Sequence, residues 1–157
     1  MPSQASHCFA FEQDFVGSWR CIPLCVRRKL DLIGLKLKLS HWLELSHGER
    51  QTLVDWPDDP EALERFRAHL QQRTRSLSAG EAKPLPASSG EEPWQLPEVL
   101  PEDVAAAARA RAQDISPEQW KRLGELERFA LCKLTRPGHD HHNLEAALRE
   151  TLDNTGS

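Results

Sequence analysis

A chain of 157 residues, 39% hydrophobic and 28% charged, fits one compact soluble domain or two small lobes sharing a core. Its formal charge of -4 argues against a nucleic-acid binder, because phosphate neutralisation needs net or locally dominant Lys and Arg. No apolar run approaches the roughly 18–20 residues of a bilayer span, and no basic stretch leads into an apolar core at the start, so neither a membrane segment nor a secretory signal is expected. Four cysteines without framework spacing (Cys8, Cys21, Cys25, Cys132) fit a reducing cytoplasm better than a disulfide scaffold.

In chain order, a polar start passes into an aromatic segment whose Phe9, Phe11 and Phe15 are expected to anchor it on the core. Pro23 can open a helix without losing a needed N–H. Val26, Leu30 and Ile33 continue it at helical spacing, and Gly34 is placed to stop it in a left-handed cap. Leu35 to Leu39 alternates like a short strand but is read as an extended link. Ser40 leads into a short helix carrying Trp42. Ser46-His-Gly-Glu49 is a capping box opening the helix of Arg50, Leu53 and Trp56, and Pro60 to Leu70 forms an amphipathic helix.

Ser76 to Pro97 holds four of the eleven prolines among small and acidic residues, a composition for a mobile loop pinned at its end by Trp94. Beyond it, Ser116-Pro-Glu-Gln119 is a strong helix start, Glu125 to Leu134 is helical, and Leu144 to Leu152 forms a last amphipathic helix.

Ile22–Trp56 and Leu100–Leu134 match without a gap at an offset of 78 residues. Pro23/Pro101, Val26/Val104, Trp42/Trp120, Leu45/Leu123, Glu49/Glu127, Arg50/Arg128 and Leu53/Leu131 are identical. These are scaffold types, so the expected fold is all-α: two copies of a roughly four-helix unit packed as one compact domain, residues 1–157. The first copy spans 20–75, the proline-rich linker 76–97 and the second copy 98–152.

What the copies do not share is where function is sought. Arg20, Arg27, Arg28, Lys29, Lys36 and Lys38 stand against Asp31 alone, a patch suited to an acidic or phosphate-bearing partner or else a solvated helix face. Arg136-Pro-Gly-His139 is a basic turn where the first copy has Pro57-Asp-Asp-Pro60; a helix stop with dipole-favoured cations accounts for it equally. His139-Asp-His-His142 is a candidate metal cluster or a solvated loop, without zinc-finger or zincin spacing. Cys21 and Cys25, one turn apart, are a candidate thiolate pair or two buried small residues. There is no phosphate loop, nucleophile elbow or cofactor fingerprint, so no enzyme, resident metal or cofactor is expected.

Phe11-Glu12-x-Asp14-Phe15-Val16, Arg20-Cys21-Ile22-Pro23, Val26-Arg27-x-Lys29-Leu30-Asp31, Gly34, Lys36-Leu37, Leu39, Trp42, Glu49-Arg50 and Leu53 form one set of signatures. Trp120, Arg128-Phe129-Ala130-Leu131, Lys133-Leu134-x-Arg136-Pro137, His139 and Asn143 form the other. In these the chain resembles the nitrate reductase-associated protein family of nitrate-assimilating bacteria, over roughly residues 11–152. Many relatives carry a proline–cysteine pair after the third helix, where this chain has Pro57-Asp58. The resemblance implies a non-catalytic cytoplasmic accessory protein that supports maturation or assembly of assimilatory nitrate reductase, with the reductase polypeptide as partner. The matched polar residues Arg20, Arg27, Lys29, Asp31, Arg136, His139 and Asn143 are the implied partner-binding face. The alternative is a small metal- or cofactor-handling protein using Cys21, Cys25 and His139–His142.

Overall fold

Pro23 opens helix α1 (Leu24–Ile33), its φ of -61° already fixed by the ring. Gly34 ends it in the left-handed region at φ 68°, its N–H donating to the Leu30 carbonyl. The computed structural model describes residues 5–12, 21–135 and 141–155, and within them the fold is mostly helical: eight α-helices with one two-stranded ribbon. The contacts divide the chain into two compact units, the first ending at Ser88 and the second running from Ser89 with Phe9–Glu12 added to it.

In the first unit, strand β1 (Leu35–Lys36) follows α1 and pairs antiparallel with β2 (Lys83–Pro84), Leu35 opposite Pro84 and Lys36 opposite Lys83. The alternation at 35–39 is therefore a true strand in its first two residues and not only a link. It then turns into helix α2 (Leu39–Glu44), one residue before Ser40. Lys38, not Ser40, occupies the cap: its N–H donates to Nδ1 of buried His41, and Nε2 of the same ring meets the Gly80 carbonyl at 2.7 Å. With Nδ1 accepting, the ring is the Nε2–H tautomer.

Ser46 and Glu49 form the expected capping box at the start of α3 (His47–Asp55), and Asp59 caps α4 (Pro60–Thr74) with Pro60 in the first turn. Helices α3 and α4 both pack on α1. Trp42, Leu53, Phe66 and Leu70 are buried among them. The proline-rich stretch carries specific contacts as well. Ala82 is buried with its N–H on the Thr74 hydroxyl, Leu85 N–H donates to the Gly34 carbonyl, and Ser88 donates twice to the Asp31 carbonyl.

The second unit contains α5 (Glu102–Arg109), α6 (Pro117–Arg122), α7 (Glu125–Thr135) and α8 (His141–Thr155). Its core joins Val104, Ala108, Ile115, Trp120, Leu131, Leu134, Leu144 and Leu148. Each fully buried leucine or valine here contributes about 1.5–3 kcal/mol. Ser116 and Gln119 box the start of α6 as expected. Trp94, the expected pin of the linker, is buried edge-on to Phe129 with ring centroids 5.0 Å apart. Phe9 is buried; the side chain of Phe11 and the whole of Phe15 lie outside the described residues.

Candidate functional site

A buried polar constellation surrounds Lys29. Val26, Lys29, Leu30 and Ile33 share one face of α1, so the apolar stripe carries the lysine inward. Its side chain is fully buried, and Nζ donates to the carbonyls of Leu53, Val54 and Trp56 at 2.7, 2.9 and 2.9 Å. These carbonyls lie at the end of α3, at the negative end of its dipole, and that of Leu53 also accepts the Trp56 N–H. The Phe66 ring lies 5.7 Å from the ammonium. Burial pulls the pKa down from 10.5 to about 8, while Cys25, Asp58 and Asp55 pull it back up against Arg28.

A lysine with so low a pKa is the raw material of Schiff-base or general-base chemistry. Here all three donors of its charged form are committed to backbone, so the geometry is that of a helix cap. Beside it Arg28, also buried, makes a 2.9 Å ion pair with Asp58. The Asp58 carboxylate thus answers a buried guanidinium.

Of the residues expected to bind a partner, Arg27 is half-buried with Nε donating to the Ile22 carbonyl at 3.0 Å, and Asp31 is half-buried with its carbonyl taken by Ser88. Lys29 is fully buried, its ammonium turned inward onto three carbonyls. Arg20, Arg136 and His139 lie outside the described residues; Asn143 falls in α8 with its side chain outside them. The basic run thus divides: Arg28 and Lys29 hold the interior, whereas Lys36 and Lys38 stay exposed. Lys83, which the pairing of β1 with β2 sets opposite Lys36, went unread because nothing local in the linker announces a strand partner.

Cys25 is buried and Cys21 half-buried, and all four cysteines are unbridged. Among the described residues no group of three or more His, Cys, Asp or Glu side chains is placed to hold a metal ion. His139 and Asp140 fall outside those residues, and His141 and His142 begin α8 with side chains not described. A shallow cavity of about 350 Å³ on α4 is lined by His69, Gln72, Arg73 and Ser76. The Arg73 guanidinium is engaged by Glu49 at 2.5 Å, so the cavity offers an anion no unpaired charge from it.

This is a mostly helical protein whose buried cations cap and tie its helices. Residues 8–151 match the family of conserved nitrate reductase-associated proteins, and the chain belongs to that family. Searches of curated proteins and of solved structures each returned no match.

Proposed function

We propose that this protein is a non-catalytic accessory factor that supports maturation or assembly of assimilatory nitrate reductase by binding the reductase polypeptide. The observation that carries this reading is the family match across residues 8–151. It is supported by the use of the buried cations: Lys29, Arg28 and Arg128 are held by carbonyls or a carboxylate that build the fold. Arg27 and Asp31, with Arg20, Arg136, His139 and Asn143, remain the proposed face, and Lys29 leaves it.

Affinity capture with purified reductase, in cofactor-free and cofactor-loaded forms, tests the reading. The expected result is retention of the cofactor-free form, weakened by Arg27→Glu and Arg136→Glu. Retention of neither form would overturn it, and unchanged retention by both variants would remove the face.

The two units also read best as two copies of one helical design. Helices α2 and α6 begin and end 78 residues apart, and α3 and α7 begin at the same offset. Arg50 and Arg128, 78 residues apart, each donate to two backbone carbonyls, though at non-equivalent positions: Trp42 and Leu43 for the first, Trp94 and Leu123 for the second.

A further inference from the structure

Resting on the accessory reading, the geometry points to a docking surface for an acidic, leucine-bearing segment of a partner protein, formed by Lys36, Lys38 and Lys83 with Leu39, Leu43 and Leu85. Leu35 and Leu37 are buried while Lys36 and Lys38 between and after them are exposed, so the lysines share the outer face of the extended segment. Lys36 lies directly opposite Lys83 in the ribbon. Like charges at opposed positions destabilise a strand pair, and a two-stranded ribbon is marginal to begin with.

Among the described residues no carboxylate forms an ion pair with Lys36, Lys38 or Lys83. Of the acids near them in sequence, Glu44 accepts from the Ser78 N–H and Glu81 pairs with Arg75. No ion pair among the described residues offsets this lysine pair. An acidic partner would offset it.

The apolar part of the surface is equally exposed. Leu39 and Leu43, one turn apart on α2, are 48% and 49% exposed, and Leu85 is 48% exposed two residues beyond Lys83. Leu85 is tied to residue 34: its N–H bonds the Gly34 carbonyl, and its own carbonyl oxygen lies 2.4 Å from where a Cβ on residue 34 would be. Three point charges and three exposed leucines, carried by the ribbon, its flanking residues and α2, suit a carboxylate-rich segment whose own leucines complete the contact. It is poorly suited to a bilayer, whose polybasic ligands gather about four to eight cations and whose interfacial helices use aromatic residues that this surface lacks.

The test uses the full chain, purified nitrate reductase, a synthetic peptide of alternating Glu and Leu, and vesicles containing phosphatidylserine. The paired reversal Lys36→Glu with Lys83→Glu, and Leu39→Ser with Leu43→Ser, lie at exposed positions; circular dichroism checks their folding, and Arg122→Glu on α6 is the control. Support is a loss of reductase affinity of about tenfold or more in each pair, with the control unchanged and wild-type binding weakened by salt. Wild-type binding that the reversal alters by less than about twofold would overturn the surface and leave the accessory reading intact. If the reductase is not bound but the peptide shifts the amide resonances of residues 36–43 and 83–85, the surface stands and the accessory reading falls. Binding to vesicles alone, or to none of the three, overturns the protein occupant.

Discussion

Lys29 illustrates how a residue's charge misleads about its place. Its type, set in a run of cations, reads as surface; its register, on the stripe of Val26, Leu30 and Ile33, reads as core. Register decides, because the end of α3 supplies three carbonyls that only a long flexible cation reaches together. Lys29→Met keeps most of the volume and strands those carbonyls, so a loss of about 2–4 kcal/mol in urea-unfolding stability is expected at neutral pH. The lowered pKa adds a pH signature. Between about pH 8 and 10.5 the unfolded chain holds this proton more tightly than the folded one, so the contribution of Lys29 rises with pH across that window and is flat below it. The stability gap between wild type and Lys29→Met therefore widens from pH 8 to pH 10, and a narrowing gap would show that the lysine is not desolvated. Gly34 is the other single residue the fold leans on, where a positive φ and a carbonyl 2.4 Å from any Cβ act together. Gly34→Ala should cost about 2 kcal/mol or more, measured the same way. The glycine cap was legible from its place after a periodic run. The cage around Lys29 was not, since its oxygens lie 24 to 27 residues away.

At the scale of the element, helix starts carrying a polar cap and a reciprocal partner three residues on were legible, as at Ser46–Glu49 and Ser116–Gln119. The start of α2 was misplaced because a backbone N–H can be capped by a histidine ring, and Lys38 with His41 matches no common capping pair. Glu49 also shows one side chain serving two elements. It accepts from the Ser46 N–H at the start of α3 and from Arg73 on α4, and these bonds, Arg73 foremost, hold its carboxyl down at about 2 against an ordinary 4.5. A depressed carboxyl contributes fully above about pH 4.5 and loses that contribution as pH falls towards 2. Glu49→Gln should flatten this part of the acid-unfolding profile while costing only about 0.5–1 kcal/mol at pH 7, because solvent screens the pair. A pH profile identical in the variant and wild type would mean that Arg73 does not hold Glu49 in solution.

For the whole molecule, the periodic and capped helices made the mostly helical class legible, since period and capping are local properties of the chain. Long-range membership is not local. Nothing in Phe9-Ala-Phe-Glu12 says that it belongs with residues more than a hundred positions away, yet it clusters with the second unit and packs on α8. Three features fasten it. Phe9 is 1% exposed, the fully buried Glu12 carboxylate accepts the Phe9 N–H at 3.0 Å, and the Ala10 N–H donates to Glu150 of α8 at 3.0 Å. The segment is thus a piece of the second unit's core delivered from the other end of the chain, and a defect in it should be felt there first. Phe9→Ala should cost about 3–5 kcal/mol, the range for emptying a buried aromatic site. Native-state hydrogen exchange locates the loss: amides of Leu144 to Leu152 should exchange faster, while those of α1 and α3, held by Lys29 at the other unit's centre, should change far less. Faster exchange confined to α1 and α3 would place the segment with the first unit instead.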